Sequence, residues 1–362
     1  MSKPTTTTAK RLFAVSGNRC AFPKCPNTLV HGEKVTGKIC HIKGRKPKAK
    51  RYDPQQSEKE RHSFGNLIIM CPIHHDVIDN DEITYTVTVL LDYKGQHEAK
   101  HAGGQEPVDA IAEALLDVRK LGIRSFMRRA EDLDQKVDVL LDLTPHFNGR
   151  SIREAKLWHE RIFPEMEKFL QEQTTEDRPY HLYLPTHNCI GFAAGYCLDA
   201  KTGVNAIPVQ ATSGGKIIWE PDLEVQTLPP LWKTTEQELD SKGQDIALIL
   251  SVTHEATQDA ERYVGSALPS GHRIINCMIK PQPSSRAFRD GTHAFRAAEA
   301  IIALLQKRSV AERKGTIHIF TAAPVSFLFF LGQMSRVLGK CILYEHDFGD
   351  SGSYFPSLAF PR

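Results

Sequence analysis

The feature that most constrains the fold is a long-range repetition in the C-terminal two-thirds of the chain. YHLYLPTHNCIGFAAG at 180–195 resembles IHIFTAAPVSFLFFLG at 317–332, and His181 to Gly195 and His318 to Gly332 both span 14 positions without a gap. VLLDLTPHF at 139–147 likewise resembles LILSVTHEA at 248–256, a buried strand ending in Thr and His. Each copy is followed by an apolar strand with an aromatic–acid ending, IIWE at 217–220 and ILYE at 342–345. Because the order of elements repeats along with the residues, the pattern reads as an internal duplication.

From 136 onward strands alternate with helices. KVDVLLDLT, YHLYL, QDIALILSVT, HRIINCMI, TIHIFTA and KCILYEH are apolar, β-branched-rich runs bounded by turns. The stretches 151–171, 258–264, 289–308 and 325–338 between them are amphipathic and helical. Such alternation predicts parallel sheets covered on both faces. Two halves, about 136–245 and 246–362, would place two sets of strand C-terminal ends side by side. Ligands of open parallel sheets bind beyond those ends, where helix N-termini present N–H groups to anions. The strand-end residues Thr144, Pro145 and His146, Thr186 and His187, Thr253 and His254, and Thr321, Ala322, Ala323 and Pro324 are small and largely hydrogen-bonding, which suits phosphate and sugar. Phe147, Trp219, Trp232 and Tyr344 are candidate base stackers, and Arg150, Lys201, Lys216 and Arg286 candidate phosphate partners. GxGxxG and GxxxxGK[ST] are both missing from this region, which argues against a nicotinamide, flavin or ATP enzyme.

The chain's 362 residues exceed what one core usually serves, and its charge is unevenly spread. Residues 1–105 hold 17 Lys/Arg against 10 Asp/Glu, a net of +7, while the whole chain carries only +3. The same part holds seven of the 16 His and four of the eight Cys. A small basic unit thus precedes a larger, mildly acidic one; the basic excess is the footprint of a phosphate-backbone binder or a solvated surface. Gly103, Gly104 and Pro107 mark the boundary, and 108–133 reads as helical, so 106–135 is taken as a helical connector. The N-terminus lacks an apolar signal segment and no run reaches the roughly 20 residues of a membrane span, so a cytoplasmic location with reduced cysteines is expected.

Within the first unit, 8–16 reads as a short helix, 35–42 and 66–71 as strands, and 71 onward and 87–100 as helices. Cys20 and Cys25 (C-x4-C) and Cys71 and His74 (C-x2-H) are two ligand pairs that fit a tetrahedral structural zinc. A unit of this size with a long polar loop has a thin core, which a metal crosslink would reinforce. The loop carries Lys43, Arg45, Lys46, Lys48, Lys50 and Arg51, placed to hold duplex phosphates by charge and without base reading.

ICHI, then GNLI, then CPIHH resembles the HNH nuclease motif in its zinc-bearing form. The resemblance implies an α+β, ββα-metal fold and a phosphodiester hydrolase acting on double-stranded DNA. It makes His41 the general base, Asn66 the residue that orients its imidazole, and His75 a ligand of a catalytic divalent ion such as Mg²⁺. Many HNH sequences carry an acidic residue before the first His; here that position is Cys40, and Asp76 and Asp79 are the nearby carboxylates.

DLTPHFNGR, SVTHEA, WEP at 219–221 and the run from IHIFTAAPVSFLFFLG to ILYEHD resemble the SAVED domain, two fused CARF-like Rossmann halves in one α/β domain. This implies a sensor of cyclic di- or trinucleotides and, with the HNH unit, a nuclease effector of CBASS anti-phage defence. On that reading 1–105 is the HNH domain, 136–362 the SAVED domain, and the cyclic oligonucleotide an activator that drives homo-oligomerisation. The alternative is a ligand-independent restriction-type HNH nuclease whose second domain recognises DNA.

Overall fold

The computed structural model describes residues 4–31, 34–101, 117–127, 133–212, 215–223, 225, 228, 231–240, 243–268, 271–347 and 353–361. The chain divides into two compact units, 1–118 with 176–179, and 119–175 with 180–362. All eight cysteines are free thiols. Among the described residues, no helix is long and apolar enough to cross a membrane.

In the first unit, Thr5 caps helix α1 (Thr6–Ala14) through its side chain, and Leu12 and Phe13 bury its apolar face. Two-residue strands β1 (Val30–His31) and β2 (Lys34–Val35) pair antiparallel. Strand β3 (Lys38–His41) pairs antiparallel with β4 (Leu67–Met70), setting Cys40 opposite Ile68 and His41 opposite Leu67. Between them, α2 (Glu58–Arg61) is one turn closed by a capping box of Ser57 and Glu60. Helix α3 (Pro72–Asn80) starts directly after β4 with Cys71 at its N-cap and Pro72 in its first turn, and α4 (Val87–His101) follows. The core is small: Phe13, Leu29, Ile42, Ile68 to Met70, Ile78 and Leu90 form most of it together with Cys20, Cys40 and Cys71. So few apolar residues leave room for a crosslink to matter.

Among the described residues, the second unit holds two large sheets. The first contains β5 (Arg119–Arg124), β6 (Val139–Asp142), β9 (Pro179–Tyr183), β10 (Asn205–Thr212) and β11 (Gly215–Ile218), in the order β11-β10-β9-β5-β6. A two-residue hairpin, β7 (Phe147–Asn148) with β8 (Ser151–Ile152), lies between β6 and α5 (Phe163–Gln173). The second sheet contains β12 (Trp232–Glu238), β13 (Asp245–Ser251), β14 (Gly271–Ile279), β15 (Ile317–Ala322), β16 (Cys341–Asp347) and β17 (Ser353–Phe360), in the order β12-β14-β13-β15-β16-β17. Strands β14, β13, β15 and β16 are parallel, while the edges β12 and β17 run antiparallel. Helix α6 (Asn188–Cys197) follows β9 and helix α9 (Val325–Met334) follows β15; α7 (Thr257–Ala267) and α8 (Gly291–Gln306) complete the set. One apolar core runs through both halves, from Leu121 and Ile123 to Leu358 and Phe360.

The sheet orders reveal the duplication and correct its register. Strands β11, β10, β9, β5 and β6 match β17, β16, β15, β13 and β14 in order. The repeat of 180–195 in 317–332 holds, since β9-α6 and β15-α9 occupy equivalent places. The other two pairings do not. The counterpart of β13 is β5, not the 139–147 segment, and the counterpart of β16 is β10, because 217–218 lies in the antiparallel edge strand β11. The reading of 108–133 as a helix is also corrected where it is described: residues 119–124 form β5, flanked by parallel β6 and β9. Residues 106–116 and 128–132 of the expected connector, and the boundary residues Gly103, Gly104 and Pro107, lie outside the described residues.

Candidate functional site

Each unit holds candidate site residues among those described. In the first, one ligand atom from each of Cys20, Cys25, Cys71 and His74 lies within 4.8 Å of all the others. His74 Nδ1 is 3.6 Å from Cys20 Sγ and 3.2 Å from Cys71 Sγ. Two ligands of one tetrahedral zinc at the usual bond lengths stand roughly 3.6 Å apart, so the quartet fits the metal. Local structure builds it: Cys71 caps α3, which carries His74 in its first turn, and Phe22 stacks on the His74 ring at 3.9 Å. The donors are costly without a cation. Burial pushes the Cys20 thiol up to about 12, opposed by N–H groups of Cys71 and Phe22 and reinforced by the Cys71 and Cys25 sulfurs. Burial also works against ionising Cys71, yet hydrogen bonds led by Asn27 hold its thiol below the ordinary value. Bound zinc would supply the positive charge that lets such thiols ionise.

His41 ends β3 half-buried, and its Nε2 lies 3.2 Å from Nδ1 of His62, the residue after α2. Burial, then His62 and Arg45, push the His41 imidazole down to about 4, and burial lowers His62 as well. Both rings are therefore neutral near pH 7, as proton acceptance requires.

The expected role of Asn66 needs correction. Its Nδ2 donates to the Lys43 carbonyl at 3.0 Å and the Arg61 carbonyl at 2.9 Å, while its Oδ1 accepts from the Lys43 N–H at 2.9 Å. Both amide hydrogens are thus spent on backbone. Asn66 brackets the segment after His41 against the segment before His62, and His62 is the group that touches His41. The sequence reading missed His62. The capping box at Ser57 and Glu60 was the available signal, since it announces a helical turn that sets Glu58 and His62 one turn apart.

His75 lies on α3 with Nδ1 3.2 Å from Asp76 Oδ1 and Nε2 3.7 Å from Asp79 Oδ2, so Asp79 stands where a carboxylate partner is needed. Cys40 is buried, desolvation and then the Asp79 charge push its thiol up, and it stands outside the Cys20, Cys25, Cys71 and His74 quartet.

The basic loop splits into two groups. Lys46, Lys48 and Lys50 are exposed, with Lys50 3.2 Å from Glu82. Lys43 is half-buried and bound to Asp53 at 2.8 Å; Arg45 is half-buried near His41 and His62. Arg51 is corrected from DNA binder to structural residue. Its side chain is 5% exposed and donates to the carbonyls of Ile42 at 2.9 Å and Ile78 at 2.7 Å and to Asp79 at 3.1 Å. With a further bond from Nη1 to the Tyr85 carbonyl, four of its five N–H donors are spent internally, and so buried a guanidinium is poorly placed to hold phosphate.

In the second unit, a cavity of about 420 Å³ opens at the strand C-terminal ends of both sheets, within the roughly 300–1,000 Å³ range of small-molecule sites. The first residues of α6 and α9 line it, as Asn188 and as Val325 and Ser326. Of the strand-end residues named from sequence, Thr186, His187, Thr253, His254, Thr321, Ala322, Ala323 and Pro324 line the cavity, as does the phosphate candidate Arg150. Lys216 lines it as well, with its ammonium 4.6 Å from the Tyr183 ring centroid. The Arg150 guanidinium sits 4.3 Å over Phe126. His187 is locked on both ring nitrogens, 2.7 Å from Ser125 Oγ and 2.9 Å from the Arg150 carbonyl.

The remaining candidates lie elsewhere. Thr144, Pro145 and His146 follow the edge strand β6; Thr144 donates to Asp142, and His146 meets Glu165 at 3.0 Å. Their place in the pattern belongs to Ser125 and Phe126, which follow the interior strand β5. Phe147 is buried and stacks on His187 at 4.5 Å, supporting the cavity wall without lining it. Trp219 is buried against Phe288, and Trp232 donates to the Ala297 carbonyl. Tyr344 is buried on Phe320, its hydroxyl 2.9 Å from His318 Nδ1. Lys201 and Arg286 are exposed and stand outside the lining. Unforeseen lining residues include Phe126, Tyr183, Asn188 and Glu345. Glu345 accepts from the Cys189 N–H at 2.7 Å, at the first turn of α6, and Asn188 Nδ2 reaches Thr321 Oγ1 at 3.3 Å across the two halves.

Comparison with known proteins gives the second unit a family. A curated relative, "CD-NTase-associated protein 4" of Enterobacter hormaechei subsp. hoffmannii, is 34% identical over 250 residues, 68% of this chain and 49% of its own length. The chain thus spans about half the length of that relative. Among solved structures, the Acinetobacter baumannii Cap4 SAVED/CARF-domain containing receptor with the cyclic trinucleotide 3'3'3'-cAAA aligns at 18% identity and TM-score 0.49, covering 75% of this chain and 61% of that one. The Moraxella osloensis Cap4 SAVED/CARF-domain containing receptor aligns at 17% identity and TM-score 0.44, with 75% and 59% coverage. The model of the SMODS-associated and fused to various effectors sensor domain (SAVED) matches residues 163–360, more than half of the chain, and the chain belongs to that family.

Proposed function

We propose that this protein is a cyclic-oligonucleotide-activated, metal-dependent DNA endonuclease of bacterial anti-phage defence, acting in the cytoplasm. The observation that carries the sensing part is the cavity at the paired strand ends of a SAVED chain, with two helix N-termini and the cations Arg150 and Lys216 around it. Such a site offers N–H groups and positive charge to phosphates, and Tyr183 and Phe126 as apolar ring faces to bases. A cyclic di- or trinucleotide is the ligand class of this reading.

The cutting part rests on His41, a neutral buried imidazole at the end of β3, and on His75 with Asp79 on α3. His41 accepts the proton of the attacking water, Asn66 brackets the surrounding loop, and His75 with a carboxylate would hold a divalent ion such as Mg²⁺. That ion, when bound, neutralises charge on the scissile phosphate and leaving oxygen. Zinc at Cys20, Cys25, Cys71 and His74 is structural. Lys46, Lys48 and Lys50 attract duplex phosphates without reading bases, so cleavage is largely independent of sequence.

A nuclease of that kind must be silent until signalled. Self-association on nucleotide binding would bring two active sites onto one duplex, provided that the ligand binds the assembled state more tightly; a 1:99 to 99:1 switch needs about 10⁴-fold.

The test is plasmid cleavage with Mg²⁺ against a panel of cyclic di- and trinucleotides that includes 3'3'3'-cAAA, with light scattering in parallel. Cleavage that appears only with one nucleotide and is abolished by His41→Ala, with nucleotide affinity unchanged, is the expected result. Equal cleavage without nucleotide would favour the restriction-type alternative, and full cleavage by His41→Ala would remove His41 as the base. Activation without a rise in mass would exclude assembly as the switch.

A further inference from the structure

We propose that His62, backed by Glu58, fixes the tautomer of His41, so that Nδ1 of His41 is its basic atom. The inference rests on the reading of His41 as general base and adds a positioning residue to it. A neutral imidazole donates from one nitrogen and accepts at the other. The 3.2 Å contact between His41 Nε2 and His62 Nδ1 therefore holds one proton, and the question is which ring owns it.

The far side of His62 answers. Its Nε2 lies 3.6 Å from Glu58 Oε1, beyond hydrogen-bond length, so the carboxylate acts on it by charge alone, and the His62 ring is buried. A lone pair on Nε2 would face the negative carboxylate, so the Glu58 charge favours the hydrogen of His62 on Nε2. That leaves a lone pair on His62 Nδ1. His41 must then donate from Nε2, and its own lone pair sits on Nδ1.

The chain of groups is held from three directions. The capping box forms α2, with the Ser57 N–H 2.7 Å from Glu60 Oε2, and this places Glu58 and His62 one helical turn apart. Arg61, 4% exposed, donates to the carbonyls of Asp53 and Gln56 at 2.7 Å, anchoring the residue before His62. Asn66 ties Arg61 and Lys43 together, fixing the separation of the two imidazoles.

In the reaction, the water oxygen bonds to phosphorus as the P–O bond to the leaving strand end breaks. The water's proton moves to Nδ1 of His41, and the leaving oxygen takes a proton from solvent. His41 is then cationic and still donates through Nε2 to His62, with the Glu58 carboxylate behind it opposing the new charge.

The experiment is long-range ¹H–¹⁵N spectroscopy of ring-labelled histidines in the full chain at neutral pH. The expected wild-type spectrum shows His41 protonated at Nε2 and bare at Nδ1. His62→Gln keeps an acceptor and should keep both this tautomer and cleavage to within a few-fold. His62→Leu removes the acceptor; it should mix the tautomers and lower kcat by at least about tenfold, toward the roughly 10⁴-fold that a wrong tautomer can cost, with KM for plasmid DNA unchanged. A wild-type His41 carrying its proton on Nδ1 overturns the proposal, whether or not the Leu variant folds, and so does a His62→Leu spectrum with the tautomer intact. Active His41→Ala would instead sink the general-base reading and leave the tautomer measurement standing.

Discussion

Gly195 and Gly332 close the crossing of α6 and α9 reciprocally: a Cβ on Gly195 would overlap the carbonyl oxygen of Phe329, and one on Gly332 would overlap that of Phe192. These are the glycines that end the two repeats, 14 positions after His181 and His318. The duplication therefore survives as a contact, with each half supplying one glycine to the other half's helix backbone. Because the two helices start at the cavity, their close approach also sets its width.

Gly195→Ala or Gly332→Ala should each destabilise the second unit. Backbone cannot yield as a flexible side chain can, so the cost is about 1–3 kcal/mol or more. Urea unfolding followed by fluorescence should show the shift, and nucleotide affinity should fall with it. A variant as stable as wild type would mean that the helices can separate freely, contrary to this packing.

Protein purified without chelator should contain about one zinc per chain. Cys71→Ala should lose the zinc and unfold the first unit, because the apolar core there is small and its four cysteines form no disulfide. Elemental analysis and circular dichroism check both parts. Metal-free protein with a cooperatively folded first unit would contradict the assignment.

The loop cations should separate by burial. Lys46→Ala with Lys48→Ala should weaken duplex binding and reduce the slope of log K against log salt by about 2, since each phosphate contact adds roughly 0.9. Arg51→Ala should leave that slope unchanged and lower stability by at least about 1.5–3 kcal/mol, the range for hydrogen bonds to a charged group. Fluorescence anisotropy across a salt series and thermal melts distinguish the two. A lowered salt slope in the Arg51 variant would return that residue to the DNA surface.

His41 should titrate near 4 in the folded chain, against 6.5 in an unfolded one. Between these values the unfolded state binds more protons, so this group's contribution to stability is full above about pH 6.5 and falls as pH drops toward 4. His62 shifts in the same direction. The loss of stability between pH 7 and pH 5 should be smaller in His41→Asn than in wild type, and the His41 ring resonance should have its midpoint near 4. A midpoint near 6.5 would show that the ring is hydrated in the folded state.

Local chemistry was written plainly in the sequence. The C-x4-C and C-x2-H spacings announced the ligand quartet, because turn and helix geometry alone bring such pairs together. The apolar runs ending at Thr186, Thr253 and Thr321 announced strands whose ends meet a ligand site, because a parallel sheet points all those ends one way. The tertiary structure decided what depends on neighbours. RKLGIR at 119–124 became a strand through backbone pairing with β6 on one side and β9 on the other, and this moved the first half's strand-end residues from Thr144–His146 to Ser125 and Phe126. Arg51 and Lys48 stand three residues apart in one basic run, yet one is buried among carbonyls and the other faces water. Spacing along the chain encodes geometry only within a turn or a strand; the partners of a side chain are set by segments distant in sequence, and those meet only when the fold closes.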